Sequence, residues 1–315
     1  MKRLVLLAVA SACASFEDPT LVIDLRVIAM TATPPEQVID LDVDQPPKLS
    51  DLIDQLASST VCATVADPGR SSSLRWSMTA CLTDNGRCDP TLPSIELGGG
   101  EVLDPDLTGA PICATLEPSS SLVALLVEVY NADTFRGLSG LTYSVEFRVG
   151  AVDAPSDDDQ FALKDLHVFA RFPEDRVANH NPMLHEMQVL TPGLHLPPLV
   201  PCAIDRERFS VKAREKVELV PVERPDTREL YPVLTVDGSF EQFDETIRYQ
   251  YLATGGSLGS ETGGGPPDFA GNLPRLGTSW IAPDVTSAVD VQLWINQRDE
   301  RGGTSVYPMC IRVTP

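Results

Sequence analysis

The stretch AVDVQLWINQRDERGGTSVYPMCIRV, residues 288–313, decides the fold. Two runs, Ala288–Gln297 and Thr304–Val313, carry the β-branched and aromatic residues of strands, and Trp294 sits between Leu293 and Ile295 on a strongly apolar one. Between them, Arg298–Thr304 fits a hairpin loop in which Gly302-Gly303 supplies positive φ, a structural role. The same grammar runs through the chain. Leu21, Ile23, Leu25, Val27 and Ala29 alternate with Asp24 and Arg26, as on a strand with one buried face. Thr60–Ala66, Leu74–Ala80, Pro111–Leu116, Leu141–Val149, Phe161–Phe172, Lys216–Val222 and Glu245–Ala253 read as further strands, with Asp67-Pro68-Gly69 and Leu97 to Gly100 as turns.

Helices are the exception. Leu122, Leu125, Leu126 and Val129 recur at helical spacing behind serines 119–121, which can cap the N-terminus. Leu52, Ile53 and Leu56 suggest a second short one. The acidic run Val152–Asp159 reads as a linker; a calcium site is the sharper alternative, although the run lacks the ligand spacing of an EF-hand loop. The expected architecture is therefore all-β: two tandem immunoglobulin-like β-sandwich domains, 20–150 and 161–315, joined by a linker at 151–160.

The N-terminus addresses the chain outward. Lys2 and Arg3 precede an apolar run, Leu4 to Ala10, too short to span a bilayer, so residues 1–12 read as a signal peptide. Of the seven cysteines, Cys13 follows that run and the other six leave an even number in each half, four in the first and two in the second. Ala10-Ser11-Ala12-Cys13 resembles a bacterial lipobox, which makes Cys13 a lipid attachment point and 13–19 a lipidated tether. Cleavage after Ala12 or Ala14, giving a soluble periplasmic or secreted protein, is the rival reading. By resemblance to Gram-negative lipoproteins, Ala14 after the cysteine favours the outer membrane.

Export makes the remaining cysteines readable as disulfides. Cys81 and Cys88 flank Asp84-Asn85-Gly86, so a tight loop sets them opposite each other. Cys62 then pairs with Cys113, and Cys202 with Cys310.

Catalytic equipment is sparse. Gly255-Gly256-Ser257-Leu258-Gly259 matches the bare letters of G-x-S-x-G, but it has neither the following helix that a nucleophile elbow needs nor the lysine of a phosphate loop. His167, His180, His185 and His195 cluster in sequence, but His185-Glu186 is followed by Val189 where a zinc protease needs its second histidine. His180 and His185 with an aspartate are the remaining metal candidates, and no metal or other cofactor is expected. The net charge of −21 comes from 20 acidic and 9 basic residues in 1–150 and 25 and 15 in 151–315, so it is spread over both halves and disfavours nucleic acid. Tyr249, Tyr251, Trp280 and Trp294 are either core or a glycan-binding face, and Tyr249 and Tyr251 with the loop Gly255–Pro267 are the candidate ligand residues.

A resemblance adds to this reading. Asp24–Met30 followed by Pro34-Pro35-Glu36, then Asp67-Pro68 and Arg75-Trp76-Ser77 before Cys81, is similar to a group of uncharacterised myxobacterial lipoproteins. Trp280-Ile281-Ala282-Pro283, Val291-Gln292-Leu293-Trp294 and Arg298–Thr304 extend the likeness to the C-terminus. It implies immunoglobulin-like sandwiches on a lipid-anchored surface protein and brings no active site. The expected function is that of a non-catalytic outer-membrane lipoprotein. It would be held to the bilayer by its acyl anchor and contact an envelope or extracellular protein partner. A surface module binding a glycan or small ligand is the alternative.

Overall fold

A computed structural model describes residues 18–40, 49–68, 73–102, 111–134, 140–190, 199–204, 208–235 and 237–315. Cys13, the rest of the expected signal and tether up to residue 17, and His195 lie outside them.

Two pairs of sheets account for most of the described chain. In the first, Arg26–Thr33, Ser59–Ala66 and Pro111–Leu116 form a three-stranded sheet. It faces a five-stranded sheet ordered Glu36–Ile39, Gln160–Ala170, Leu141–Ala151, Leu74–Cys81, Ser94–Val102. Alternation builds the core between them. Val61, Ala63 and Val65 from one sheet meet Tyr143, Val145, Phe147 and Val149 from the other. The helix Ser120–Ala132 closes one side with Leu122, Val123, Leu125 and Leu126, and Ser119 caps it by accepting from the Leu122 amide at 3.2 Å. Leu49–Gln55 is the second helix.

In the second pair, Leu184–Val189, Lys216–Glu223, Thr278–Ile281 and Ser257–Leu258 form a four-stranded sheet. It faces the five-stranded sheet Phe209–Lys212, Thr304–Thr314, Val289–Asp299, Ile247–Ala253, Thr262–Gly264. Trp280, Tyr249, Tyr251, Leu293 and Ile311 are central to its core. Disulfides join Cys62 to Cys113 on adjacent strands, Cys81 to Cys88, and Cys202 to Cys310. Three such bonds place the chain in an oxidising, extracytoplasmic environment.

Three expectations need correction. The boundary drawn at 151–160 is not a linker, because Gln160–Ala170 pairs antiparallel with Leu141–Ala151 and belongs to the first sandwich. The acidic run is the turn of that hairpin, held down by Arg75, which donates to the carbonyls of Ala151 and Ala154 and pairs with Asp159 at 2.5 Å. The second unit accordingly begins after residue 170, not at 161. The strand expected from Leu21 instead starts at Arg26 and carries an irregularity between Val27 and Ala29, where Ile28 is buried; ahead of it, Val22 is buried with its amide on the Ala253 carbonyl while Ile23 is exposed. Leu97 to Gly100 lies within the strand Ser94–Val102 and makes no turn.

A third, smaller core lies where the two sandwiches meet. Val22, Ile28 and Ala66 from the first half pack on Leu252 and Trp294 from the second. The outer edge of Arg26–Thr33 is covered by side-chain amides of the second half: Asn296 Nδ2 donates to the Ile28 carbonyl (2.9 Å) and Asn181 Nδ2 to the Ala32 carbonyl (2.7 Å). An edge that offered hydrogen bonds to another chain is thereby occupied from within.

Candidate functional site

A cleft of about 950 Å³ opens at the junction of the halves. It is lined by the turn of the last hairpin, Arg298–Thr304. Gly302 has φ +96°, as a loop glycine should, but Gly303 is there for space: a Cβ on it would lie 2.0 Å from Asp299 Oδ2. That closeness lets the amides of Arg301 and Gly303 both donate to Asp299 Oδ1, at 2.9 and 2.7 Å. Asn179 Nδ2 adds contacts of 3.2 Å to both carboxylate oxygens. Burial still raises the Asp299 carboxyl above its ordinary value.

The folded turn then aims Arg301 across the junction. Its guanidinium pairs with Glu36 at 2.7 Å and with Glu229 at 3.1 Å, and lies over the Tyr231 ring, 5.1 Å from the centroid. Glu36 is pushed up by burial, against the pull of Arg301. From the first sandwich, Lys164 reaches the Gly302 carbonyl and Thr304 Oγ1 (3.1 Å), and burial lowers its ammonium to about 8. A hairpin of Leu230–Leu234 and Phe240–Asp244 stands beside the cleft and supplies its apolar side through Val233, Leu234 and Phe240. Phe240 meets Phe172 edge to face at 5.2 Å. Arg176 lies on Phe169, 3.6 Å from the ring centroid, and its buried Nε has no partner among the described residues.

The sequence candidates lie elsewhere. Tyr249 and Tyr251 are both 1% exposed, so they line no surface. Their hydroxyls are used internally: Tyr249 donates to Glu223 (2.8 Å) and accepts from Gln297, and Tyr251 donates to the Leu276 carbonyl at 2.5 Å. Period-two spacing on a central strand cannot tell an inner face from an outer one, and here both rings face the core. Trp280 and Trp294 are likewise fully buried. Of the histidines, His167 lines the cleft and bonds Thr142 at 2.9 Å, while His180 bonds Glu229 at 2.6 Å. Among the described residues no group of three His, Cys, Asp or Glu side chains converges on a metal position.

The cleft is hard to read from sequence because its lining comes from five separated segments, residues 27–36, 142, 162–176, 231–240 and 298–304. Arg298–Thr304 gives a signal as a charged loop with two glycines, and His167 as one of four histidines close in sequence.

No family model and no curated protein matches the chain. Among solved structures it is weakly similar to a nucleoside hydrolase-related hypothetical protein from Saccharophagus degradans that is associated with carbohydrate metabolism. That match has 12% identity, covers 44% of this chain and 26% of that one, and gives a TM-score of 0.22. Dimeric latent PorU from Porphyromonas gingivalis follows at 8% identity, 92% and 24% coverage and a TM-score of 0.18. Murine CEACAM1b gives 10%, 85% and 92%, and 0.17. The chain thus spans about a quarter of the length of the first two. Likenesses of this size carry no argument about what the chain does.

Proposed function

We propose that this chain is an exported, non-catalytic binding protein whose cleft between the two sandwiches receives a small ligand. The observation that carries the reading is the cleft itself. Its volume of about 950 Å³ is at the upper end of the roughly 300–1,000 Å³ usual for ligand sites, and it lies at a domain junction, where such sites concentrate. Its walls combine apolar side chains with a few fixed polar groups, the mixture that binds and orients. The test is a fragment screen by saturation-transfer NMR, repeated on Ala162→Trp, which fills the cleft. Hits lost in that variant support the reading; an absence of hits, or hits that persist, overturns it.

Attachment to the outer membrane through an acylated Cys13 belongs to the same proposal and is supported by the lipobox-like Ala10–Cys13. Cys13→Ser should release the protein from membranes with its three disulfides intact, and a variant that stays membrane-bound removes the anchor. Contact with a protein partner is a second reading, favoured by Leu230 (67% exposed), Phe172 (53%) and Phe243 (44%), which sit on the side hairpin and the loop it touches. Crosslinking on cells from a photoreactive residue at 230 should then capture a discrete species, and capture of none counts against it.

A further inference from the structure

The cleft carries a charge pattern that suggests its ligand. The chain as a whole is strongly acidic, yet the cleft is lined by four cations, Lys164, Arg176, Arg298 and Arg301, against Glu36, Asp165, Asp299 and Glu300. The carboxylates are already engaged. Glu36 holds Arg301, Asp165 accepts from Ser144 (2.6 Å), Asp299 is saturated by Asn179 and the turn amides, and Glu300 accepts from Tyr231 (2.7 Å) and Thr246.

Three of the cations are not engaged in the same way: Arg176 stacks on Phe169 with its buried Nε unpartnered among the described residues, and Arg298 and Lys164 keep donors open. The side chain of Arg298 has no hydrogen-bond or ion-pair partner among the described residues. Lys164 places two of its three donors on neutral oxygens, the Gly302 carbonyl and Thr304 Oγ1. Arg298 lies directly across the hairpin from Thr304, so the guanidinium and the ammonium come to the same stretch of cleft. Val233, Leu234 and Phe240 form an apolar wall of the same cleft, where Phe240 packs on Phe172.

We propose that the cleft takes an amphipathic anion, a carboxylate or phosphate on an apolar body, with its head between Lys164 and Arg298 and its body along the apolar lining of the cleft. An anion there would satisfy open donors of both cations, and charge-assisted hydrogen bonds in a partly desolvated site are among the stronger polar contacts. The inference rests on the reading of the cleft as a small-ligand site.

The test is calorimetric titration of the full exported protein with octanoate, octyl phosphate and octanol, which share one apolar body. The expected result is binding of at least one anion about tenfold or more tighter than octanol, the scale of one hydrogen bond to a charged group. The stronger of the two anions identifies the head group. Arg298→Gln should weaken the anions by a similar factor and leave octanol unchanged. Lys164→Met should do the same, and because Lys164 also braces the junction, the exposed Arg298 decides the matter if that variant fails to fold. Equal binding of octanol and the anions, or anion binding unaltered in Arg298→Gln, overturns the anion inference while leaving a ligand site. No binding of any of the three overturns the anion inference, and the fragment screen on Ala162→Trp then decides separately whether the cleft takes small ligands at all.

Discussion

Arg301 and Glu36 stand 265 residues apart in sequence and 2.7 Å apart in space, with side chains only 8% and 1% exposed. The pair joins the turn of the last hairpin to an edge strand of the first sandwich. It lies next to the core of Val22, Ile28, Ala66, Leu252 and Trp294 only in the sense that both span the same junction. One contact is apolar and one ionic, and together they fix how the halves meet.

Removing one member of a buried pair strands the other charge. Arg301→Ala leaves both Glu36 and Glu229 without their guanidinium. The expected loss is about 3–5 kcal/mol of unfolding free energy, measured by denaturant titration. Glu36→Gln should cost less, since Arg301 keeps Glu229 and gains a neutral acceptor. A loss under about 1 kcal/mol for Arg301→Ala would mean that the pair behaves as an exposed one.

Gly303→Ala tests the turn without touching charge. The added Cβ meets Asp299 Oδ2 and the His180 carbonyl, so the turn amides must withdraw from the carboxylate. A loss of about 1–3 kcal/mol is expected, the range of local strain at such sites. Gly100→Ala is the control, because the nearest atom to its Cβ is Trp76 Nε1 at 3.9 Å. Equal effects of the two on melting temperature would refute the close-approach argument.

How much of this was legible in sequence depends on the kind of signal. The last hairpin was legible because its two runs and the glycines between them are local, and the helix Ser120–Ala132 because its apolar spacing and its Ser119 cap are local too. The run Val152–Asp159 was not, because a solvated linker and a hairpin turn have the same composition; only the position of Arg75, 84 residues from Asp159, separates them. The cleft was least legible. Lys164 and Arg176 carry no motif, Arg298 and Arg301 are legible only as part of a hairpin loop, and their meeting depends on how two sandwiches dock.

The disulfides should differ in worth according to the loops they close. In the chain-entropy account, the sequence separations of 108, 51 and 7 residues for Cys202–Cys310, Cys62–Cys113 and Cys81–Cys88 correspond to about 5, 4 and 2 kcal/mol. Paired Cys→Ala variants, compared by denaturation midpoint, should lose stability in that order. The reverse order would show that native contacts around the short Cys81–Cys88 loop outweigh constraint of the unfolded chain.

Glu245 gives the junction a pH dependence. Glu245 is 1% exposed, and burial, with the charges of Asp299 and Glu229 nearby, pushes its carboxyl up to about 8. A carboxyl raised on folding binds its proton more tightly in the native state than in the unfolded one. Its contribution to stability is therefore complete below the ordinary Glu value and is lost as pH rises through about 8. Glu245 Oε1 also lacks a hydrogen-bond partner among the described residues, so ionisation there goes uncompensated. Stability of the wild type should fall between pH 5 and pH 9, and Glu245→Gln, which stays neutral throughout, should fall less. Denaturant unfolding at both pH values measures the difference. If the variant and the wild type lose stability in parallel, Glu245 is not the group that titrates.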